Sequence, residues 1–154
     1  MQSAGRWLLA GLLMVPVAAV AVAAWARTRV LVVQIHGSSM TPTYRPGERL
    51  LAVRAARRPR RGDVLVFRLP AAASEHATAD ERRRPAVKRV AAVAGDPLPG
   101  AEGPVPDAHV FLVGDRARTL DSRVYGPVPL DHVVGRVVRA RPAPGGHAEV
   151  ADGR

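Results

Sequence analysis

Nineteen residues from Trp7 to Trp25, WLLAGLLMVPVAAVAVAAW, pass without a charge, and after Ala26 the apolar positions fall into short runs that alternate with polar ones. The first stretch lies at the lower end of the length a membrane-spanning helix needs. A tryptophan stands at each end, where an indole ring sits best in the headgroup layer, so the run predicts a helix held at both interfaces. Pro16 would kink such a helix without forbidding it. A cleaved secretory signal is the competing reading, with Arg6 as its basic flank and Ala24-Trp25-Ala26 as an A-x-A processing site; the length of the apolar run favours the uncleaved anchor. Either way the body is exported. The flanking charges, Arg27 and Arg29 behind the run against Arg6 and the α-amine ahead of it, carry little weight, because long domains translocate largely regardless of them. The expected organisation is a short flank (1–6), a transmembrane anchor (7–26), a folded domain (27–141) and a disordered tail (142–154), which makes a single-pass protein of the cell membrane with its domain on the extracytoplasmic side.

Within the domain, period-two runs rich in Val and Leu predict strands at Arg29 to Ile35, Arg49 to Arg54, Asp63 to Leu69, Ala86 to Ala94, His109 to Val113 and Val133 to Ala140. Thr41-Pro-Thr, Arg45-Pro-Gly, Arg61-Gly-Asp, Gly95-Asp-Pro and Gly126-Pro-Val-Pro separate them with turn chemistry. Such spacing leaves no room for crossover helices, so the fold expected is mainly β. Pro70 to Pro85, polar and alanine-rich, reads as an exposed loop.

Composition narrows the chemistry. The chain has 154 residues, no cysteine and six aromatics, so disulfides, thiolate zinc sites, cysteine nucleophiles and a stacking platform for single-stranded nucleic acid are excluded. No histidine spacing suggests a metal site, and neither cofactor nor nucleic acid is implied. The net charge of +10 favours anionic partners, and the arginine runs Arg57, Arg58, Arg60, Arg61 and Arg82 to Arg84, placed in loops, are either a solvated face or a means of docking on an anionic membrane surface.

Two places carry candidate chemistry. Lys88 is the single lysine beside twenty-two arginines. Where only positive charge is needed arginine serves, but lysine can lose its proton near neutral pH once desolvated. Alternation places Lys88 on one face with Ala86, Val90, Ala92 and Ala94, as a general base or as a snorkelling amine at a strand edge. His36-Gly-Ser-Ser-Met-Thr-Pro-Thr follows a predicted strand, so two hydroxyls sit on a tight turn that is either an ordinary Ser/Thr turn or a nucleophile with half an oxyanion hole. Triads of His36, His109 or His132 with Asp121 can also be drawn, without spacing to support them.

Together these residues resemble the bacterial type I signal peptidase family, membrane-anchored serine proteases with a Ser-Lys dyad. Gly37-Ser-Ser-Met-Thr-Pro-Thr-Tyr resembles the nucleophile box and assigns the nucleophile to Ser39 rather than Ser38. Arg61-Gly-Asp-Val-Leu-Val-Phe resembles the structural G-D-V-V box, and Val87-Lys-Arg-Val-Ala-Ala-Val-Ala-Gly-Asp the box whose lysine, here Lys88, is the general base. The stretch from Gly114 through Thr119, Asp121 and Arg123 to Val128 resembles the G-D-N…S-x-D-S-R box, one residue short and with Arg116 in place of Asn. The resemblance runs from the anchor to about Arg139 and corresponds to the minimal core form. Gly37 stands where some members carry a hydroxyl of the oxyanion hole.

The resemblance implies an antiparallel, coiled, barrel-like β domain on the membrane surface that cuts exported preproteins after A-x-A. Ser39 would attack, Lys88 would act as base, and Thr119 would hydrogen-bond the lysine. Asp121 with Arg123 and Asp115 with Arg89 would be structural ion pairs. Ile35, Met40, Tyr44 and Val87 would wall small pockets for alanine. Three other identities share these features in part. A dedicated maturation protease, of the kind that trims the leader of nickel superoxide dismutase, would have the same core; self-cleaving repressors share the Ser-Lys chemistry without an exported anchor; an inactive, basic, membrane-anchored β module would share only the architecture.

Overall fold

The computed structural model describes residues 16–22, 24–25, 27–54, 58–73 and 75–141, save the side chains of 139–141. Seven strands, β1 (Val30–Gln34), β2 (Arg49–Arg54), β3 (Val64–Phe67), β4 (Ala86–Val93), β5 (His109–Val113), β6 (Val128–Pro129) and β7 (Val133–Arg141), form one antiparallel sheet in the order β1-β2-β7-β3-β4-β5-β6. The mainly β expectation is met, and the barrel-like part of it is corrected: β1 and β6 are free edges and the sheet does not close. β6 has two residues, and Pro129 has no N–H to offer a further strand. Irregularities at Leu51/Ala52, Val66/Phe67 and Val90/Ala92 interrupt the ladders and bend the strands that carry them.

The central strand β3 is buried along its whole length. Leu65 and Phe67 point into a cluster with Val90, Val110, Leu112 and Val128, while Val64 and Val66 join Ile35, Met40, Leu50, Ala52 and Val87 on the other face. Lys88 pairs with Leu65 and so faces the first cluster. The irregularity after Val90 limits the face expected for β4: Ala92 packs with Val105 and Phe111 in a third cluster, and Ala94 lies beyond the strand.

Among its described residues Pro70 to Pro85 is largely exposed, as expected, but it also carries local helical structure. It holds a 3-10 turn at Ala71–Ala73 and a short helix α1 (Ala79–Arg83), capped by a reciprocal pair in which Thr78 Oγ1 accepts from the Glu81 amide at 3.3 Å and Glu81 Oε2 accepts from the Thr78 amide at 2.8 Å. Arg82 and Arg83 therefore belong to a helix; Arg61 pairs with Asp96 and Arg84 with Asp80, both at 2.8 Å. Arg57 lies outside the described residues. A second helical turn, α2 (Ser122–Tyr125), is capped by Asp121.

Ahead of β1 the chain is helical at 16–22, 24–25 and 27–29, so helical residues persist beyond the boundary expected at Ala26. Thr28 Oγ1 donates to the Trp25 carbonyl at 2.7 Å, and the Arg29 guanidinium lies over the Trp25 ring, 5.5 Å from its centroid. Among the described residues no helix is long and apolar enough to cross a membrane. Residues 1–15 of the expected flank and anchor, and the expected tail, lie outside them.

Candidate active site

The turn after β1 is fixed from both sides. The Ile35 amide donates to the Glu48 carbonyl and the Gly47 amide to the Ile35 carbonyl, both at 2.9 Å, which ties the strand's exit to the start of β2. Gly37 then adopts φ +77°, the left-handed conformation that reverses the chain at little cost only for glycine. Met40, 1% exposed, plugs the second core cluster and anchors the residue before it, Ser39. The Ser39 carbonyl accepts from the Arg116 amide at 3.2 Å, and Ser38 Oγ accepts from Arg116 Nη1 at 2.7 Å. The neighbouring hydroxyls thus differ: Ser38 is engaged, and the Ser39 hydroxyl has no hydrogen-bond partner among the described residues.

Ser38, Ser39, Lys88 and Thr119 line one cleft of about 330 Å³. Lys88 is 5% exposed, and burial brings its amine from 10.5 down to about 8, against the opposing pull of the Asp121, Glu81 and Asp115 carboxylates. No hydrogen bond or ion pair to its ammonium is present among the described residues. The amine is therefore both desolvated and unpartnered, a combination that favours the neutral form.

Asp121 organises the far wall. Fully buried, it accepts from Thr119 Oγ1 at 2.7 Å, the Gly114 amide at 3.0 Å, the Arg123 amide at 3.1 Å and Arg123 Nε at 2.9 Å. Burial alone would raise its pKa, but the bonds from Arg123, Thr119 and Gly114 outweigh it and hold the carboxyl well below the usual carboxylate range. Thr119 spends its proton on Asp121, and no bond from Thr119 to Lys88 is present among the described residues. Arg89 grips Asp115 with two parallel bonds of 2.8 Å and reaches the Gly62 carbonyl at 3.1 Å, joining this wall to the turn before β3.

The expected ion pairs Asp121–Arg123 and Asp115–Arg89 are thus present. Of the expected pocket walls, Ile35, Met40 and Val87 line the cleft, whereas Tyr44 sits outside the lining, packed on the cluster that contains Ile35 and Met40. The histidine triads do not form: Nδ1 of His36, His109 and His132 face the carbonyls of Gln34, Asp107 and Arg68, and none reaches Asp121. Sequence reasoning missed the contribution of α1, which brings Asp80 and Glu81 to the cleft rim beside Arg84, and that of Leu69 and Leu120. The Thr78-x-x-Glu81 capping pattern was the signal available for α1.

The chain matches the family model described as signal peptidase, peptidase S26, over residues 5–99 and 97–140. It is 36% identical over 118 residues to the mitochondrial ATP-independent inner membrane protease subunit 1b of Arabidopsis thaliana, an alignment covering 67% of this chain and 64% of that protein. It is 32% identical over 152 residues to the mitochondrial inner membrane protease subunit 1 of Schizosaccharomyces pombe, covering 84% and 87%. A probable thylakoidal processing peptidase 2 of Arabidopsis thaliana is 28% identical over 135 residues, covering 68% of this chain and 36% of the relative. The chain thus spans just under two thirds of the first of these relatives and about a third of the thylakoidal one. A match that takes in the nucleophile turn, β4 and the Asp121 wall places the chain in the signal peptidase family, peptidase S26.

Proposed function

We propose that the chain is a membrane-anchored serine endopeptidase that removes signal peptides from exported preproteins, with Ser39 as nucleophile and Lys88 as general base. The observation that carries this reading is the pairing, in one cleft, of an unengaged hydroxyl with a buried, unpartnered amine. With a pKa of about 8, roughly a tenth of Lys88 is neutral at pH 7. Neutral Lys88 takes the proton from Ser39 Oγ as the oxygen attacks the scissile carbonyl. The Ser39 amide, free of any acceptor among the described residues, is available to the oxyanion. Collapse breaks the C–N bond, the lysine's proton goes to the leaving amine, and the acyl group stays on Ser39. Lys88 then deprotonates the water that releases it.

Ile35, Met40, Val87 and Ala86 make part of the cleft apolar, which suits small side chains of the A-x-A type. The apolar run from Trp7 to Trp25 anchors the enzyme, with its domain on the extracytoplasmic face. The test is cleavage of an A-x-A preprotein by the purified chain in detergent. Wild-type cleavage that is lost in both Ser39→Ala and Lys88→Arg supports the dyad, and an active Ser39→Ala enzyme would remove it.

A further inference from the structure

A second concavity, of about 400 Å³, adjoins the catalytic cleft and shares Leu69, Arg84 and Pro85 with it. Its walls carry Arg68, Arg82, Arg83, Arg84 and His132 against one carboxylate, Asp131. Arg84 is held by Asp80, and Arg82 donates to the Ala77 carbonyl. The guanidinium groups of Arg68 and Arg83 have no partner among the described residues. Guanidinium forks match the paired oxygens of a phosphate, and a concavity with this excess of them selects an anion.

The sheet register shows which strand ends supply the elements around this concavity. Val30, at the start of β1, pairs with Val53; Arg54 pairs with Gly135; Val133 pairs with Phe67, and Phe67 with Ala86. The start of β1, the end of β2, the start of β7, the end of β3 and the start of β4 therefore share one end of the sheet. Residues 27–29 lead into β1 at that end, Arg68 follows β3 there, Arg84 precedes β4 and His132 precedes β7. Just ahead of β1, Trp25 is 61% exposed with Arg29 stacked on it, a pairing suited to the headgroup layer.

We infer that this arginine-lined concavity, beside the catalytic cleft, holds the phosphate of an anionic phospholipid headgroup. The inference rests on the membrane-anchored reading above and adds to it a defined lipid site. An anchored chain meets lipid phosphate at far higher local concentration than dissolved phosphate, and the strand ends that flank the concavity, those of β3, β4 and β7, share an end of the sheet with the start of β1. Because the two hollows share a wall, a bound headgroup holds the catalytic cleft beside the bilayer, where a membrane-tethered preprotein presents its cleavage site.

The test uses the full chain in an uncharged detergent, exchanged with equimolar phosphatidylglycerol and phosphatidylcholine and read by native mass spectrometry. Wild type is expected to retain phosphatidylglycerol over phosphatidylcholine by at least about fivefold. Arg68→Gln with Arg83→Gln is expected to erase that preference while leaving peptidase activity in micelles intact, since neither residue lines the cleft. Arg45→Gln with Arg60→Gln makes the same charge change at the opposite end, beside the starts of β2 and β3, and is expected to keep the preference. Equal retention of the two lipids by wild type, a preference that survives loss of Arg68 and Arg83, or an equal loss in the control pair would each overturn the site. Full displacement of the lipid by about 10 mM inorganic phosphate would assign the concavity to a free anion and overturn the lipid source. N-terminal sequencing of the same sample reports on the anchor separately. A chain beginning at Arg27 would remove the anchored reading, and a lipid preference that still depends on Arg68 and Arg83 would still support the site.

Discussion

Gly114 passes so close to Ser39 that a Cβ on it would stand 2.7 Å from the Ser39 carbonyl oxygen, and 2.5 Å from Thr119 Oγ1 on its other side. The Gly114 amide also donates to Asp121 at 3.0 Å, so this residue sets the spacing between the nucleophile turn and the Asp121 wall. Gly114→Ala is expected to force them apart, at about 1–3 kcal/mol of stability and with most of the activity lost. Thermal unfolding and cleavage rate measured on one preparation check this. Wild-type values in both would show that the close approach is dispensable.

The two serines of the turn separate by their partners. Ser39→Ala is expected to abolish cleavage. Ser38→Ala loses an exposed bond to Arg116 and is expected to reduce the rate only modestly. Labelling by a serine-directed acylating inhibitor provides the second readout, and a label that persists in Ser39→Ala would move the nucleophile elsewhere.

Thr119→Val takes a donor from a fully buried carboxylate, about 1–3 kcal/mol, which is roughly 10- to 100-fold in rate where the loss falls on the transition state. Thr119→Ser keeps the hydroxyl and is expected to retain most activity. Comparison of kcat between the two variants decides it: equal rates would show that the hydroxyl plays no part.

Asp121 predicts acid sensitivity. A carboxylate whose pKa is lowered on folding contributes stability that is fully present above its unfolded value, about 3.9, and is lost as the pH falls through the folded one. Asp121→Asn is therefore expected to be less stable than wild type at pH 7 and to lose less further stability below about pH 4. Denaturant melts across pH 2–7 measure both slopes, and parallel curves would show that Asp121 does not carry the acid transition.

Six of the seven strands were legible because β-branched runs with turn residues at both ends leave few alternatives. β6 was hidden inside Gly126-Pro-Val-Pro, where two prolines outweighed a two-residue pairing to Val110 and His109. The closure of the sheet was not legible, since it depends on whether edge strands find partners and not on periodicity. In the site, Lys88 and the Ser38-Ser39 turn stood out by residue type and position. What the sequence could not show was which hydroxyl is engaged, because that depends on Arg116, 78 residues beyond Ser38, arriving to bond Ser39 through its amide and Ser38 through its side chain. Glu81 at the cleft rim was equally hidden, as a capping pattern tells where a helix starts and not which wall it builds.

Lys88 carries the prediction with the widest consequences. Its amine is lowered from 10.5 to about 8 by burial, so between these values the unfolded chain binds more protons than the folded one and stability rises with pH across that window. Below about pH 8 the charged amine is buried without a partner among the described residues and opposes folding. Lys88→Met is accordingly expected to raise Tm at pH 7 while abolishing cleavage, the signature of a residue kept for chemistry at the expense of stability. Lys88→Arg retains the charge but cannot deprotonate near neutral pH, so activity should fall to background, whereas a snorkelling amine would be replaced by arginine without loss. In wild type, kcat/KM is expected to rise with pH through an apparent pKa near 8, as the neutral amine accumulates. A Lys88→Arg enzyme that cleaves at the wild-type rate with a flat profile through pH 8 would end the dyad. Ser39 would then need another base, and His36, which lines the cleft, would be the first to test.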